Sequence, residues 1–110
     1  MADINIQEIL KKMLGAAKEV LGNHWDEAKP FAKQELKSLA ENIKLIGKLK
    51  VEGKITEEQA KYYIEIQKSS VRIVLLTIEG LGIIAVEEAI NKALDVIRNT
   101  VNTAIGWSII

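Results

Sequence analysis

From Ala60 to Ala104, side chains that suit a core return every three or four positions without a slip in phase. The line runs through Ile64, Gln67, Val71, Val74, Ile78, Leu81, Ala85, Ala89, Ala93, Ile97 and Val101, with Gln67 as its one polar member. Steps of three and four put those residues on one side of an α-helix. A strand would need alternation, and none is sustained here. The spacing therefore predicts an all-α chain whose C-terminal half is one long helix over about 57–105. At about 1.5 Å per residue such a helix is roughly 73 Å long. The line passes Gly80 and Gly82, each of which costs roughly 1 kcal/mol in a helix interior. They mark a bend, or a break into 57–79 and 83–105, and the unbroken phase favours a single helix.

Two shorter helices precede it. The first is expected over about 6–21, with Asn5 as its cap and Glu8 three residues on. Gly22-Asn23 is its stop. The second is expected over about 27–52, capped by Asp26, with Pro30 near its start and Gly53 at its end. Thr56 with Gln59 is a capping-box spacing, and Glu57 and Glu58 sit where the helix dipole favours negative charge. Glu8–Lys12, Glu57–Lys61 and Glu88–Lys92 have the favourable i,i+4 order. A short turn at 53–56 makes its two helices antiparallel neighbours. The whole reads as one all-α domain, 1–110, of two helices folded on a third and completed by oligomerisation.

Charge is unevenly placed. Of 15 basic and 15 acidic side chains, only Arg72, Lys92, Arg98, Glu79, Glu87, Glu88 and Asp95 lie beyond residue 70. A balanced chain has no global field to gather nucleic acid or anionic lipid. Lys29, Lys33, Lys37, Lys44 and Lys48 give the second helix a basic side, but no aromatic residues interleave to stack bases. That side reads as solvated, and no nucleic-acid partner is expected. The absence of cysteine excludes disulfides and thiol chemistry. The N-terminal stretch has no apolar core followed by a cleavage site, so the default compartment is cytoplasmic.

The stretch "TIEGLGIIAVEEAI" at 77–90 admits three readings. Gly80-Leu81-Gly82-Ile83-Ile84-Ala85 matches a dinucleotide loop, G-x-G-x-x-A, but that loop opens a βαβ unit and no second strand follows. Residues 73–86 are nearly all apolar, yet they fall short of the ~20 needed to span a bilayer. They also contain Glu79, and a mid-membrane charge is costly. The third reading is packing. Gly82, Ala85, Ala89 and Ala93 form a line of small side chains along which two helices can approach closely. With Ile73, Leu75, Leu76, Ile83, Ile84 and Val86 facing other ways, the segment is apolar nearly all round and should be buried all round, at the centre of an oligomer or of a tight four-segment bundle.

That reading assigns an interaction surface to Val71, Val74, Ile78, Leu81, Gly82, Ala85, Ala89, Ala93 and Ile97, with 71–105 as a core shared between subunits. Glu65, Arg72 and Glu79 are spaced by seven and share a face, where Arg72 bridges the two acids on a solvated stripe or sets register between helices. His24, the only histidine, falls in the turn between the first two helices and lacks the Glu-x-x-His spacing of a di-iron bundle. No catalytic set, cofactor site or metal site is expected. Trp25 and Trp107 are placed at the ends of the core, Tyr63 inward and Tyr62 outward, and the apolar tail "AIGWSII" docked. The function that follows is non-enzymatic: a homo-oligomeric helical assembly or protein-interaction module, with another helical protein as a second kind of partner. The alternatives are a protein that inserts into membranes conditionally, or a carrier of apolar ligands.

Overall fold

Residues 4–110 are described by a computed structural model of the chain. They form α1 (Ile6–Leu21), a three-residue 3-10 turn (Gly22–His24), α2 (Trp25–Val51), α3 (Glu57–Leu76), α4 (Ile83–Asp95) and a short α5 (Arg98–Ile105). No strand occurs among the described residues. Around the bundle α1 packs on α2, α2 on α3, α3 on α4 and α4 back on α1, while α5 packs on α2. Short connections make sequential neighbours antiparallel. The 27 residues of α2, roughly 40 Å of helix, set the long dimension of a 43 × 22 × 18 Å molecule.

The local signals for α1 and α3 hold. Asn5 Oδ1 accepts from the Glu8 N–H at 3.1 Å, and α1 ends at Gly22. At α3, Thr56 Oγ1 accepts from the Gln59 N–H while Gln59 Oε1 accepts from the Thr56 N–H, at 3.1 and 3.0 Å. The i,i+4 pairs Glu8–Lys12 and Glu57–Lys61 form on the surface at 3.7 and 3.3 Å. The start of α2 differs from expectation. It begins at Trp25, continuing out of the 3-10 turn, and Asp26 lies inside its first turn rather than capping it. Its end, at Val51 before Gly53, agrees.

The C-terminal half differs most. Instead of one helix over 57–105 there are three, with a reversal at residues 77–82 and a bend at Val96 and Ile97. Thr77 closes α3 by donating its hydroxyl to the Val74 carbonyl at 2.6 Å. Gly80 then takes φ +90°, a region closed to most L-residues, and Gly82 is extended ahead of α4. The apolar phase survives because Ile78 and Leu81, although in the turn, insert their side chains into the core. The reversal lets α4 bury Val86, Ala89, Ile90, Ala93 and Leu94, and α1 and α3 are its neighbours.

The core is one cluster along the bundle, with Met13, Leu39, Ile43, Ile64, Leu75, Val86, Ile97 and Val101 as its largest fully buried side chains. No buried side-chain nitrogen or oxygen among the described residues lacks a hydrogen-bond partner. At one end His24 packs on Gly80, joining the two turns there; a Cβ on Gly80 would stand 3.0 Å from the His24 ring. At the other, Ile105 of α5 packs over the buried Gly47. The apolar tail docks on its own chain. Ile109 is buried, and the Asn102 amide accepts from the Ile109 and Ile110 N–H groups at 3.0 and 3.2 Å and donates to the Ile110 carbonyl. Lys50 binds the Ile105 carbonyl and lies 4.7 Å from the centre of the Trp107 ring.

Candidate interaction surface

The residues first assigned to a shared core serve this chain's own core. Val71, Ile78, Leu81, Ala89, Ala93 and Ile97 are buried within it, Val74 and Ala85 are half-buried, and Gly82 is exposed ahead of α4. The line of small residues is used inside the chain, where α4 meets α1 and α3.

Burial on all sides does not occur within the chain. Ile73 is 66% exposed, Ile84 81% and Ile83 50%, and Leu76 is exposed as well. Tyr62 and Tyr63 are both exposed, so Tyr63 does not turn inward. The physical reason is the reversal at 77–82. It spends one face of α3 and one of α4 on the bundle and leaves the opposite faces uncovered. Four exposed apolar residues of α3, namely Tyr62, Ile66, Ile73 and Leu76, lie on one side of the helix by their spacing, opposite buried Ile64 and Val71.

The expected ion-pair stripe is also rearranged. Arg72 forms a two-pronged pair with Glu87 of α4: Nε to Oε1, and Nη2 to Oε2 at 3.2 Å. Its Nη1 donates to Ser69 Oγ at 3.3 Å. Glu65 pairs instead with Lys68, and Glu79 lies exposed in the turn. The Arg72 hydrogen bonds hold the Glu87 carboxyl below its ordinary value, and Glu87 in turn raises Arg72. This two-pronged geometry ties α3 to α4 across the turn. Arg72 and Glu87 are 15 residues apart, and with the turn unrecognised no sequence periodicity links them. On the other flank, Ser70 Oγ donates to Glu35 of α2 at 2.7 Å.

Two open grooves flank the bundle. One, of about 720 Å³, is lined by Leu49, Ile55, Tyr62, Tyr63 and Ile66 beside the α2–α3 turn. The other, of about 610 Å³, is lined by Ile4, Ile6, Leu45, Val51, Ala104 and Ile105, with Lys44 and Lys48 also on its walls. Lys29, Lys33, Lys37, Lys44 and Lys48 are all exposed. Among the described residues, no group of three His, Cys, Asp or Glu side chains is placed to hold a metal ion. No helix of the described residues is long and apolar enough to cross a membrane. No family model matches the chain, and neither a curated protein nor a solved structure matches it.

Proposed function

We propose that the chain is a non-enzymatic, homo-oligomeric helical interaction module. The carrying observation is the uncovered apolar side of α3, with Ile83 and Ile84 also exposed at the start of α4, on a chain whose core is already complete. Scattered exposed apolar residues are ordinary, whereas aligned ones favour a partner surface. The residues that meet the partner differ from those first assigned. Within 71–105, Ile73, Leu76, Ile83 and Ile84 are exposed, while Ala89, Ala93 and Ile97 lie in the chain's own core.

Light scattering over a dilution series tests this. The expected result is a mass above one chain that falls on dilution, unchanged by liposomes. A single-chain mass at every concentration overturns it. A single-chain mass that moves onto liposomes replaces it with membrane association through the same residues.

The groove lined by Ile4, Leu45, Val51 and Ile105, with Lys44 and Lys48 on its walls, favours a second reading: a carrier of an apolar anion such as a fatty acid. Native mass spectrometry of the purified chain decides it. Bound lipid supports the carrier, and bare protein that also fails to take up added fatty acid rejects it.

A further inference from the structure

α3 carries two stripes. Besides the core stripe, Gln59, Tyr62, Ile66, Ser69, Ile73 and Leu76 follow steps of three, four, three, four and three. That is the spacing of the two seam positions in a two-stranded coiled coil. The stripe runs from Gln59 of the capping box to the last residue of the helix, roughly 26 Å. Its two edges differ. The edge toward α2 carries Tyr63 and Ser70 and is uncharged; the edge toward α4 carries Glu58 at its start, then Glu65 and Arg72 at the middle of the seam.

Those edges choose between the two ways a copy can pair. A parallel copy sets each Glu65–Arg72 edge against a Tyr63–Ser70 edge and makes no charge pair. An antiparallel copy brings like edges together, and the unlike charges meet. With a two-fold axis between Gln67 and Lys68, Tyr62 covers Ile73 of the second copy and Ile66 covers Ser69. Glu65 then stands beside Arg72 of the second copy, and symmetry makes every one of these contacts twice. Arg72 has capacity for this. A guanidinium has five N–H donors; three are engaged by Glu87 and Ser69, which leaves two for a second carboxylate. Glu65 gives up only an exposed pair with Lys68.

We infer that α3 is a self-association seam on which a second copy of this chain docks antiparallel, about a two-fold axis between Gln67 and Lys68. This rests on the oligomeric reading above and specifies its geometry.

The chain has no cysteine, so introduced thiols are unique. Gln59 and Leu76 lie at opposite ends of the seam and face each other across it only in the antiparallel register. Full-length Gln59→Cys and Leu76→Cys chains are mixed, oxidised and mapped by peptide mass spectrometry, with mass in solution measured alongside. The expected product is a 59–76 disulfide. Same-position thiols lie roughly 26 Å apart along an antiparallel seam, too far to close. A predominance of 59–59 and 76–76 disulfides overturns the orientation. Mixed chains that keep a dimer mass but form no seam disulfide place the interface elsewhere; the seam falls and the oligomeric reading stands. A single-chain mass for the unaltered protein overturns both. As a second variant, Glu65→Lys alters only an exposed side chain and puts like charges at both Arg72 contacts. Dimer dissociation should tighten with salt and weaken about ten-fold or more at low salt relative to the unaltered chain; an unchanged dissociation constant overturns the seam.

Discussion

The inner and outer faces of α3 are built from similar residues and do different things. Inside, Ala60, Ile64, Val71 and Leu75 are sealed against the bundle. Outside, Tyr62, Ile66, Ile73 and Leu76 are exposed. Residue type does not separate the two sets; position around the helix does. The inner set makes the fold cohesive. The outer set adds less to an isolated chain, because its side chains keep 39–70% of their surface exposed after folding. The lesson is that an apolar helix need not be a buried one.

Substitution can break that contrast or sharpen it. The largest expected effect is on the inner face: Ile64→Ala should lower stability by about 2–5 kcal/mol in urea unfolding, the range for emptying a packed aliphatic site. The matched outer change, Ile73→Ala, should stay within about 0.5 kcal/mol at dilutions where one chain is present. Equal losses at the two sites would erase the distinction between the faces. Next in size is Gly80→Ala, in the turn that separates the faces of α3 and α4. A positive φ costs an L-residue about 1–2 kcal/mol, and the new methyl meets His24; a thermal melt followed by circular dichroism should show the drop. Thr56→Ala removes one half of the capping box and should cost about 1 kcal/mol, read by the same melt.

The smallest effect is the pH dependence of the Arg72–Glu87 tie. Glu87 is held below the ordinary glutamate value by Arg72. Its contribution is therefore complete above that ordinary value and is lost as pH falls through the lower folded one. Both side chains are partly exposed, so the contribution belongs with surface pairs at roughly 0.2–1 kcal/mol. Glu87→Gln should flatten the acid limb of the stability curve by that amount, measured by urea titration at a series of pH values.

Much of the all-α architecture was legible because its signals are local. Asn5 with Glu8, and Thr56 with Gln59, act within one turn of helix and depend on little beyond their own segment. Gly22 and Gly53 mark ends for the same reason. The reversal at 77–82 was legible only as the lesser alternative that Gly80 and Gly82 offered, because Ile78 and Leu81 fill the core at the spacing a continuous helix would have used. The periodicity recorded which residues go inside and said nothing about whether the backbone turned around between them. The partner of Arg72 was hidden by the same turn, since only the reversal brings Glu87 alongside. The outer stripe was present in the sequence as a second run of threes and fours, but with the helix assumed to be buried all round its residues merged with those of the core.

Trp25 opens α2 and is buried, while Trp107 lies under the ammonium of Lys50 near the end of the same helix. Along α2 those two places are roughly 38 Å apart. The chain thus carries a separate optical probe at each end: an indole in an apolar setting that emits toward the blue, and one whose emission responds to an overlying cation. With Trp25→Phe or Trp107→Phe, the fluorescence of the remaining indole follows one end of the bundle alone, so fraying that begins at the docked tail can be told from opening that begins at the His24 turn.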